Sequence, residues 1–172
     1  GSPGSGKSWA LDNIINELKM QDIKVIKHYC YTDLDDEFQK ERITLNVFYG
    51  NLINDILEAF PELKHSKEQL YASNITELNI LLSNISSNTV LIIDGLDHIE
   101  RIFEYREWTG LAKTDIAIID AINKLTVSQF VKILITSQPI EELKYIENYQ
   151  QEEIPSWGIF EIQTILDKFK IE

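Results

Sequence analysis

The stretch Gly1-Ser2-Pro3-Gly4-Ser5-Gly6-Lys7-Ser8 decides how the rest of the chain is interpreted, because it has the spacing G-x-x-x-x-G-K-S. In this pattern the glycines let the backbone curl around an anion, and the helix that follows presents its positive end to that anion. A flexible Gly-Ser linker or a cloning remnant has similar composition. The amphipathic helix that follows directly, together with an acidic strand end downstream, favours a phosphate-binding loop.

Composition restricts the class of protein. The 172 residues are enough for one full core, with 44% hydrophobic and 26% charged residues. The formal net charge of −12 argues against a broad nucleic-acid surface, so no nucleic-acid partner is indicated. The single cysteine, Cys30, gives no disulfide framework and fits a reducing compartment, which predicts a cytoplasmic protein. No apolar run is long enough for a bilayer, and no membrane association is expected.

Segments of helical and strand character alternate along the chain. Apolar residues at helical spacing predict helices at 11–18, 48–60, 75–82, 116–125 and 140–145, and a helical stripe at 159–169. Runs of β-branched and apolar residues predict strands at 23–31, 89–94, 131–136 and 151–154. Residues 99–115 show no clear period and are interpreted as a long loop or broken helix. The alternation predicts a parallel sheet with right-handed crossovers and a ligand at the carboxyl ends of the strands.

The predicted fold is α/β with a parallel sheet, and the resemblance of the loop to that of P-loop NTPases implies a three-layer fold with ASCE-type strand order. We expect residues 1–155 to form this core and residues 156–172 to begin a following helical or lid region. The strand that should precede the phosphate loop is not in the chain, so the chain is interpreted as a fragment. That strand would lie between 131–136 and 151–154, and direct pairing of these two segments would contradict the order.

Acidic and hydroxyl side chains follow the predicted central strands. Asp94 ends the strand 89–94, where it can hold Mg²⁺ opposite the Ser8 hydroxyl; a turn or capping aspartate is the alternative. Asp97 is a candidate for positioning the attacking water, or else a structural cap. Thr136 can sense a terminal phosphate, or can simply end its strand in a turn. His98 can be a switch or a phosphate contact, although an exposed or core histidine is the plainer interpretation.

These expectations define a candidate site. The predicted catalytic residues are Lys7, Asp94 and Asp97, and the predicted Mg²⁺ ligands are Ser8 and Asp94. The predicted nucleotide-binding residues are Gly1, Ser2, Pro3, Gly4, Ser5, Gly6, Lys7, Ser8, Trp9 and Thr136.

Guanine-specific proteins of this class carry N-K-x-D, and the nearest match, Asn123-Lys124-Leu125-Thr126, lacks the acid. The expected cofactors are therefore ATP or ADP with Mg²⁺. The acidic segment 32–36 is interpreted as a solvated face rather than a metal site.

With these landmarks in order, the chain resembles a STAND-class ATPase of the NACHT type. The resemblance depends on Gly1–Ser8, on Asp94-Gly95-Leu96-Asp97 and on Thr136-Ser137. The segment 27–31, followed by Arg42 and 51–53, is also similar to bacterial antiviral members. One departure is Gln138, which stands where the family often has arginine.

The resemblance implies a nucleotide-gated switch that oligomerises when a region outside this chain senses a protein trigger. The expected function is thus the ATP-binding, slowly hydrolysing core of a signalling ATPase in bacterial antiviral defence. Two alternatives stay open at this stage. One is a nucleotide-dependent interaction module without hydrolysis, and the other is a small-molecule P-loop kinase.

Overall fold

The computed structural model describes residues 6–32, 37–66, 73–99 and 117–152. In chain order the elements are α1 (Lys7–Met20), β1 (Lys24–Tyr29), α2 (Gln39–Arg42), α3 (Leu45–Ala59), α4 (Ile75–Asn84), β2 (Thr89–Asp94), α5 (Ile118–Asn123) and β3 (Val131–Thr136). Short 3₁₀ segments cover Pro61–Ser66 and Glu141–Tyr145. The predicted mixed α/β class is confirmed for this part of the chain.

The three strands form a parallel sheet in the order β1-β2-β3. Tyr29, Asp94 and Thr136 stand at the same level of the ladder, at the carboxyl ends of their strands. Two backbone bonds continue the pairing beyond this level, from Cys30 N to Asp94 O at 2.9 Å and from Gly95 N to Thr136 O at 3.0 Å. The carboxyl ends of all three strands therefore lie at one edge of the sheet, as predicted.

Helices cover both faces of this sheet. On one face, Leu11 and Ile15 of α1 pack against Ile92 of β2. On the other face, buried residues of α3, α4 and α5 join the inward side chains of the strands in one core cluster. Since an apolar helical stripe and an apolar sheet face must each be buried, this arrangement is compatible with a three-layer α/β fold.

Strand β2 is the centre of the described sheet. Leu91, Ile92 and Ile93 have no exposed surface, although their side chains alternate between the two faces. A strand covered on both faces needs apolar residues at every position, so the continuous run 89–94 was a reliable strand signal. The bounds of β2 and of β3 agree with the sequence prediction.

The two outer strands differ in how their free edges are covered. The backbone N–H of Lys27 in β1 donates to Asp55 Oδ2 of α3 at 3.2 Å, so a helix side chain satisfies an edge donor. Strand β3 pairs with β2 only, within the described residues, and its Ile133 is 37% exposed. Residues 151 and 152 are not in a strand, while 153 and 154 lie outside the described residues. The expected further strand beside β3 stays a prediction.

Several local expectations need correction or lie outside the described residues. Helix α2 and the 3₁₀ segment at Pro61 were not predicted, because both are too short to show an apolar period. Helix α3 begins three residues before the predicted start, where the Thr44 hydroxyl accepts from Val47 N. Most of 99–115, the stripe 159–169 and the boundary at residue 155 lie outside the described ranges. Within those ranges, no helix is both long and apolar enough to cross a membrane.

His28 joins β1 to the helical layer above it. Its side chain is almost fully buried, with Nε2 2.9 Å from Arg42 O and Nδ1 3.4 Å from Asn51 Nδ2. Phe48 packs edge-on against the imidazole, with ring centroids 5.0 Å apart. The bond to Arg42 O puts the single proton of a neutral ring on Nε2, and Nδ1 then accepts from the Asn51 amide. Burial lowers the pKa of His28 to about 4, and the nearby Arg42 charge also lowers it.

Acidification should therefore destabilise the fold through His28. In the unfolded chain this histidine binds its proton near its ordinary pKa of 6.5, whereas the folded pKa is about 4. The contribution of the neutral His28 to the free energy of unfolding is fully present above pH 6.5. It falls as the pH drops towards 4, by at most about 1.4 kcal/mol per pH unit for one group. Urea unfolding at a series of pH values measures this slope.

A His28→Gln variant is the matched control, because it removes the titrating ring from the same position. The comparison uses the change in unfolding free energy per pH unit and not the free energy itself, because the variant also loses packing against Phe48 at every pH. The half-buried Asp94 and Asp55 have raised pKa values and act on the slope in the opposite direction, but equally in both proteins. Identical pH slopes in the parent and in His28→Gln would contradict the assignment.

Candidate functional site

A cavity of about 570 Å³ opens at the carboxyl edge of the sheet, beside the N-terminus of α1. It is lined by residues from α1, from the ends of β1 and β2, and from the segment after β3. These are Gly6, Lys7, Ser8, Trp9, Leu11, Asp12, Tyr29, Tyr31, Thr32, Asp94, Gly95, Asp97, His98 and Gln138. The structure thus brings most of the described candidate residues together in one place.

The start of α1 forms one wall of the cavity. Gly6 precedes the helix in the left-handed conformation, with φ of +78°, and its carbonyl accepts from Ala10 N at 2.9 Å. A residue with a side chain is strained in this conformation, so a glycine is favoured where the chain turns into the helix. Lys7, Ser8 and Trp9 follow on the first turn and line the cavity. The predicted residues Gly1, Ser2, Pro3, Gly4 and Ser5 lie outside the described residues.

Asp94 faces this wall from the end of β2. Its Oδ1 accepts a hydrogen bond from the Thr136 hydroxyl of the neighbouring strand. Burial raises the pKa of Asp94, and the nearby Asp97 carboxylate raises it further, while the Thr136 bond acts in the opposite direction. A half-buried carboxylate of this kind is costly to ionise, so a cation bound beside it would be stabilising.

Thr136 and Gln138 differ in whether they line the cavity. The Thr136 hydroxyl is directed at Asp94, and Thr136 is not among the residues that line the cavity. Gln138, two residues further along, does line it. Thr136 therefore holds Asp94 in this structure, and its predicted contact with a phosphate remains a prediction.

Gly95 makes the turn that follows β2. Its φ is +81°, and a Cβ there would lie 3.4 Å from His98 Cδ2 and 3.6 Å from Tyr31 N. The positive φ favours a residue without a side chain, whereas these two neighbours are at ordinary van der Waals distance. The turn continues with a bond from His98 N to Gly95 O at 3.0 Å, and residues 97–99 are helical.

Asp97 connects this turn to the end of β3. Its side chain is only 4% exposed, and its Oδ1 accepts from Gln138 N at 3.0 Å. The Ser137 hydroxyl lies 3.5 Å from the same oxygen, at the limit of a hydrogen bond. The carboxylate therefore has a structural role in this turn, in line with the cap alternative. Its predicted role in positioning water is not tested by this geometry.

His98 and Tyr31 form a stacked pair on the cavity wall. Their ring centroids are 4.0 Å apart and their planes differ by 4°. His98 Nε2 lies 3.7 Å from Asp97 Oδ2, and the His98 side chain is 23% exposed. The imidazole is thus held on one side by an aromatic ring and at its Nε2 edge by a carboxylate.

The tyrosines of the site were not identified from the sequence. Tyr29 ends β1 and is paired with Asp94 in the ladder, whereas Tyr31 lies two residues beyond it. Both tyrosines line the cavity. Burial raises the pKa of Tyr29, with further contributions from Asp12, Asp94 and Asp55. The rule that predicted Asp94, namely that ligands bind at carboxyl strand ends, applies equally to β1 and could have found them.

The bond between Asp97 and Gln138 gives a direct test of the structural role of Asp97. Asp97→Ala should leave the Gln138 N–H without this acceptor and lower the free energy of unfolding by about 1–3 kcal/mol. Asp97→Asn keeps an oxygen that can accept the same bond and should lose much less. Urea unfolding of the two variants measures the difference, and equal stabilities would show that the bond contributes little.

Comparison with known proteins gives one family. The model of the N-terminal region of nephrocystin 3 matches residues 1–138, which include α1, all three strands and the cavity. No curated protein matches the chain. Because the match covers well over half of the sequence, the chain belongs to the family described as Nephrocystin 3, N-terminal.

Proposed function

We propose that the chain is the ATP-binding core of a nucleotide-gated switch that hydrolyses ATP slowly. The observation that carries this proposal is the cavity beside the first turn of α1 and the end of β2, which Lys7, Ser8 and Asp94 all line. A helix N-terminus, a lysine and a hydroxyl on one side with a carboxylate on the other suit a Mg²⁺-bound polyphosphate.

The phosphate side of the site would be supplied by α1. The first amides of a helix lack partners within the helix and, with its dipole, favour an anion at this end. Lys7 adds a positive charge on the same turn, and the sequence Gly1–Ser5 before it has the spacing of a phosphate-binding loop. The loop identity is part of the proposal, supported by the sequence pattern and by the position of the cavity.

Ser8 and Asp94 would hold the Mg²⁺. Both provide oxygen donors, which this hard cation prefers, and both line the cavity. Among the described residues there is no group of three or more His, Cys, Asp or Glu that could hold a metal ion by itself. Mg²⁺ bound with a nucleotide does not need such a group, because phosphate oxygens and water complete its coordination. When bound, the ion would neutralise charge on the outer phosphates.

Adenine is favoured over guanine as the base. The nearest match to a guanine-reading motif has Asn123 and Lys124 but lacks the acid, and the amide of Asn123 is bound within the fold. Its Nδ2 donates to Tyr145 O at 2.6 Å, and its Oδ1 accepts from Glu147 N at 3.0 Å. An amide with both ends engaged in this way is poorly suited to reading a base.

The switch part of the proposal depends on the resemblance to NACHT-type STAND ATPases. It includes oligomerisation of the whole protein, a protein trigger sensed outside this chain, a cytoplasmic location and a role in bacterial antiviral defence. A nucleotide-dependent interaction module without turnover would use the same cavity. Hydrolysis measured with and without a trigger protein separates these two functions.

Lys7→Ala should weaken ATP binding by about tenfold or more, since a charge-assisted contact to phosphate contributes on the order of 1.5–3 kcal/mol. Titration of fluorescent ATP against the intact protein measures this loss. Lys19→Ala is the matched control, because Lys19 is an exposed lysine in the last turn of the same helix. Equal affinities for ATP in Lys7→Ala and Lys19→Ala would remove the N-terminus of α1 from the site.

Asp94→Asn tests the metal part separately. Asparagine has nearly the shape of aspartate and keeps an oxygen for the Thr136 hydroxyl, but it lacks the charge that favours Mg²⁺. We expect the concentration of Mg²⁺ needed for hydrolysis to rise at least several-fold, with little change in the affinity for ATP measured in EDTA. An unchanged Mg²⁺ dependence would show that Asp94 is not a ligand.

A further inference from the structure

The Asp97–His98 pair raises a question that the proposed function does not answer. Hydrolysis needs a group that positions water and accepts its proton, and the sequence suggested Asp97 for this task. In the structure the Asp97 side chain is buried and one of its oxygens accepts from Gln138 N. His98, the next residue, lines the cavity and is partly exposed.

We propose that His98 is the general base of ATP hydrolysis in this site, and this inference rests on the proposed function. His98 has the chemistry that the step requires, because a neutral imidazole accepts a proton near neutral pH. Asp97 acts through His98 as a positioning residue. Its Oδ2 lies 3.7 Å from His98 Nε2, beyond hydrogen-bond distance, so the carboxylate acts through its charge, which stabilises the imidazolium that forms when His98 accepts a proton.

Two side chains and one turn place the imidazole relative to the cavity. The Tyr31 ring stacks on it with centroids 4.0 Å apart, Asp97 Oδ2 lies 3.7 Å from Nε2, and the turn at Gly95 places His98 beside the end of β2. Asp97 is itself held to the end of β3 by Gln138 N. A base on which catalysis depends needs such a fixed orientation, because proton transfer requires hydrogen-bond distance to the attacking water.

The oxygen of a water molecule forms a bond to the γ-phosphorus of ATP, and one proton of that water passes to the His98 imidazole. The bond from the γ-phosphorus to the bridging oxygen breaks, and its electron pair stays with ADP. Inorganic phosphate and ADP leave, and the imidazolium then releases its proton to solvent.

The decisive experiment compares His98→Ala and His98→Gln in the intact protein, under single-turnover conditions with ATP and Mg²⁺. Both variants should lose about 10²–10⁴-fold in the hydrolysis rate, which is the usual contribution of a general base. Their dissociation constants for fluorescent ATP should stay within about threefold of the parent, since the base does not act in the ground state. Glutamine can hydrogen-bond to water but accepts no proton at neutral pH, so it separates proton transfer from positioning.

Added imidazole provides a second readout that a purely structural role would not change. It should restore part of the rate of His98→Ala, where the removed ring leaves space, and should give no rescue to Lys7→Ala. Three outcomes would overturn the role of His98 but leave the proposed function standing. They are a parental hydrolysis rate in either His98 variant, a large loss of ATP affinity in place of a loss of rate, and a rate of His98→Ala that imidazole does not raise. A parent protein that binds no ATP, or that hydrolyses it without dependence on Lys7, would overturn the proposed function as well.

Discussion

The parallel pairing of β2 between β1 and β3 is the constraint on which the rest of the site depends. Because the three strands run in the same direction, Tyr29, Asp94 and Thr136 end at one level of the sheet. The turns that follow these strands then meet at the same edge. Helix α1 packs through Leu11 and Ile15 against Ile92, which places its N-terminus at that edge too. The cavity is thus a consequence of strand direction and of one helix–sheet contact.

Much of the fold could be predicted from the sequence, and the failures have a physical cause. Strand β2 was predicted with its observed bounds because a continuous apolar run is a strong signal, and β3 was predicted from a β-branched and apolar run interrupted by Lys132. Strand β1 was predicted up to residue 31 but ends at Tyr29, because the strand it pairs with ends at Asp94. Cys30 and Tyr31 continue the strand-favouring sequence beyond Tyr29, but a strand can extend only as far as its neighbour offers residues to pair with. Short elements such as α2 carry too few residues for any period to be recognised.

The site was predictable to the extent that it depends on spacing along the chain. Lys7, Ser8 and Asp94 were identified from a loop pattern and a strand end, and they do line one cavity. The contacts of Asp97 were not predictable, because Gln138 is distant in sequence and approaches only through the pairing of β2 with β3. The same holds for the stacking of Tyr31 on His98, which joins the ends of β1 and β2. Contacts between strand ends are tertiary, and no local pattern encodes them.

The turn at Gly95 gives two adjacent polar residues different surroundings. With φ of +81°, the chain leaves β2 so that Asp97 becomes buried against the segment after β3 and His98 lies on the cavity wall. A carboxylate that is buried and bonded to a backbone N–H is held in one orientation, and its charge acts on the neighbouring imidazole. A partly exposed imidazole can exchange protons with water. The pair therefore links the end of β3, through Asp97, to a group that faces the cavity. If His98 is the general base that we propose, a movement of the Gln138 segment would shift the carboxylate beside it, and the proposed hydrolysis would be coupled to the strand end next to the cavity.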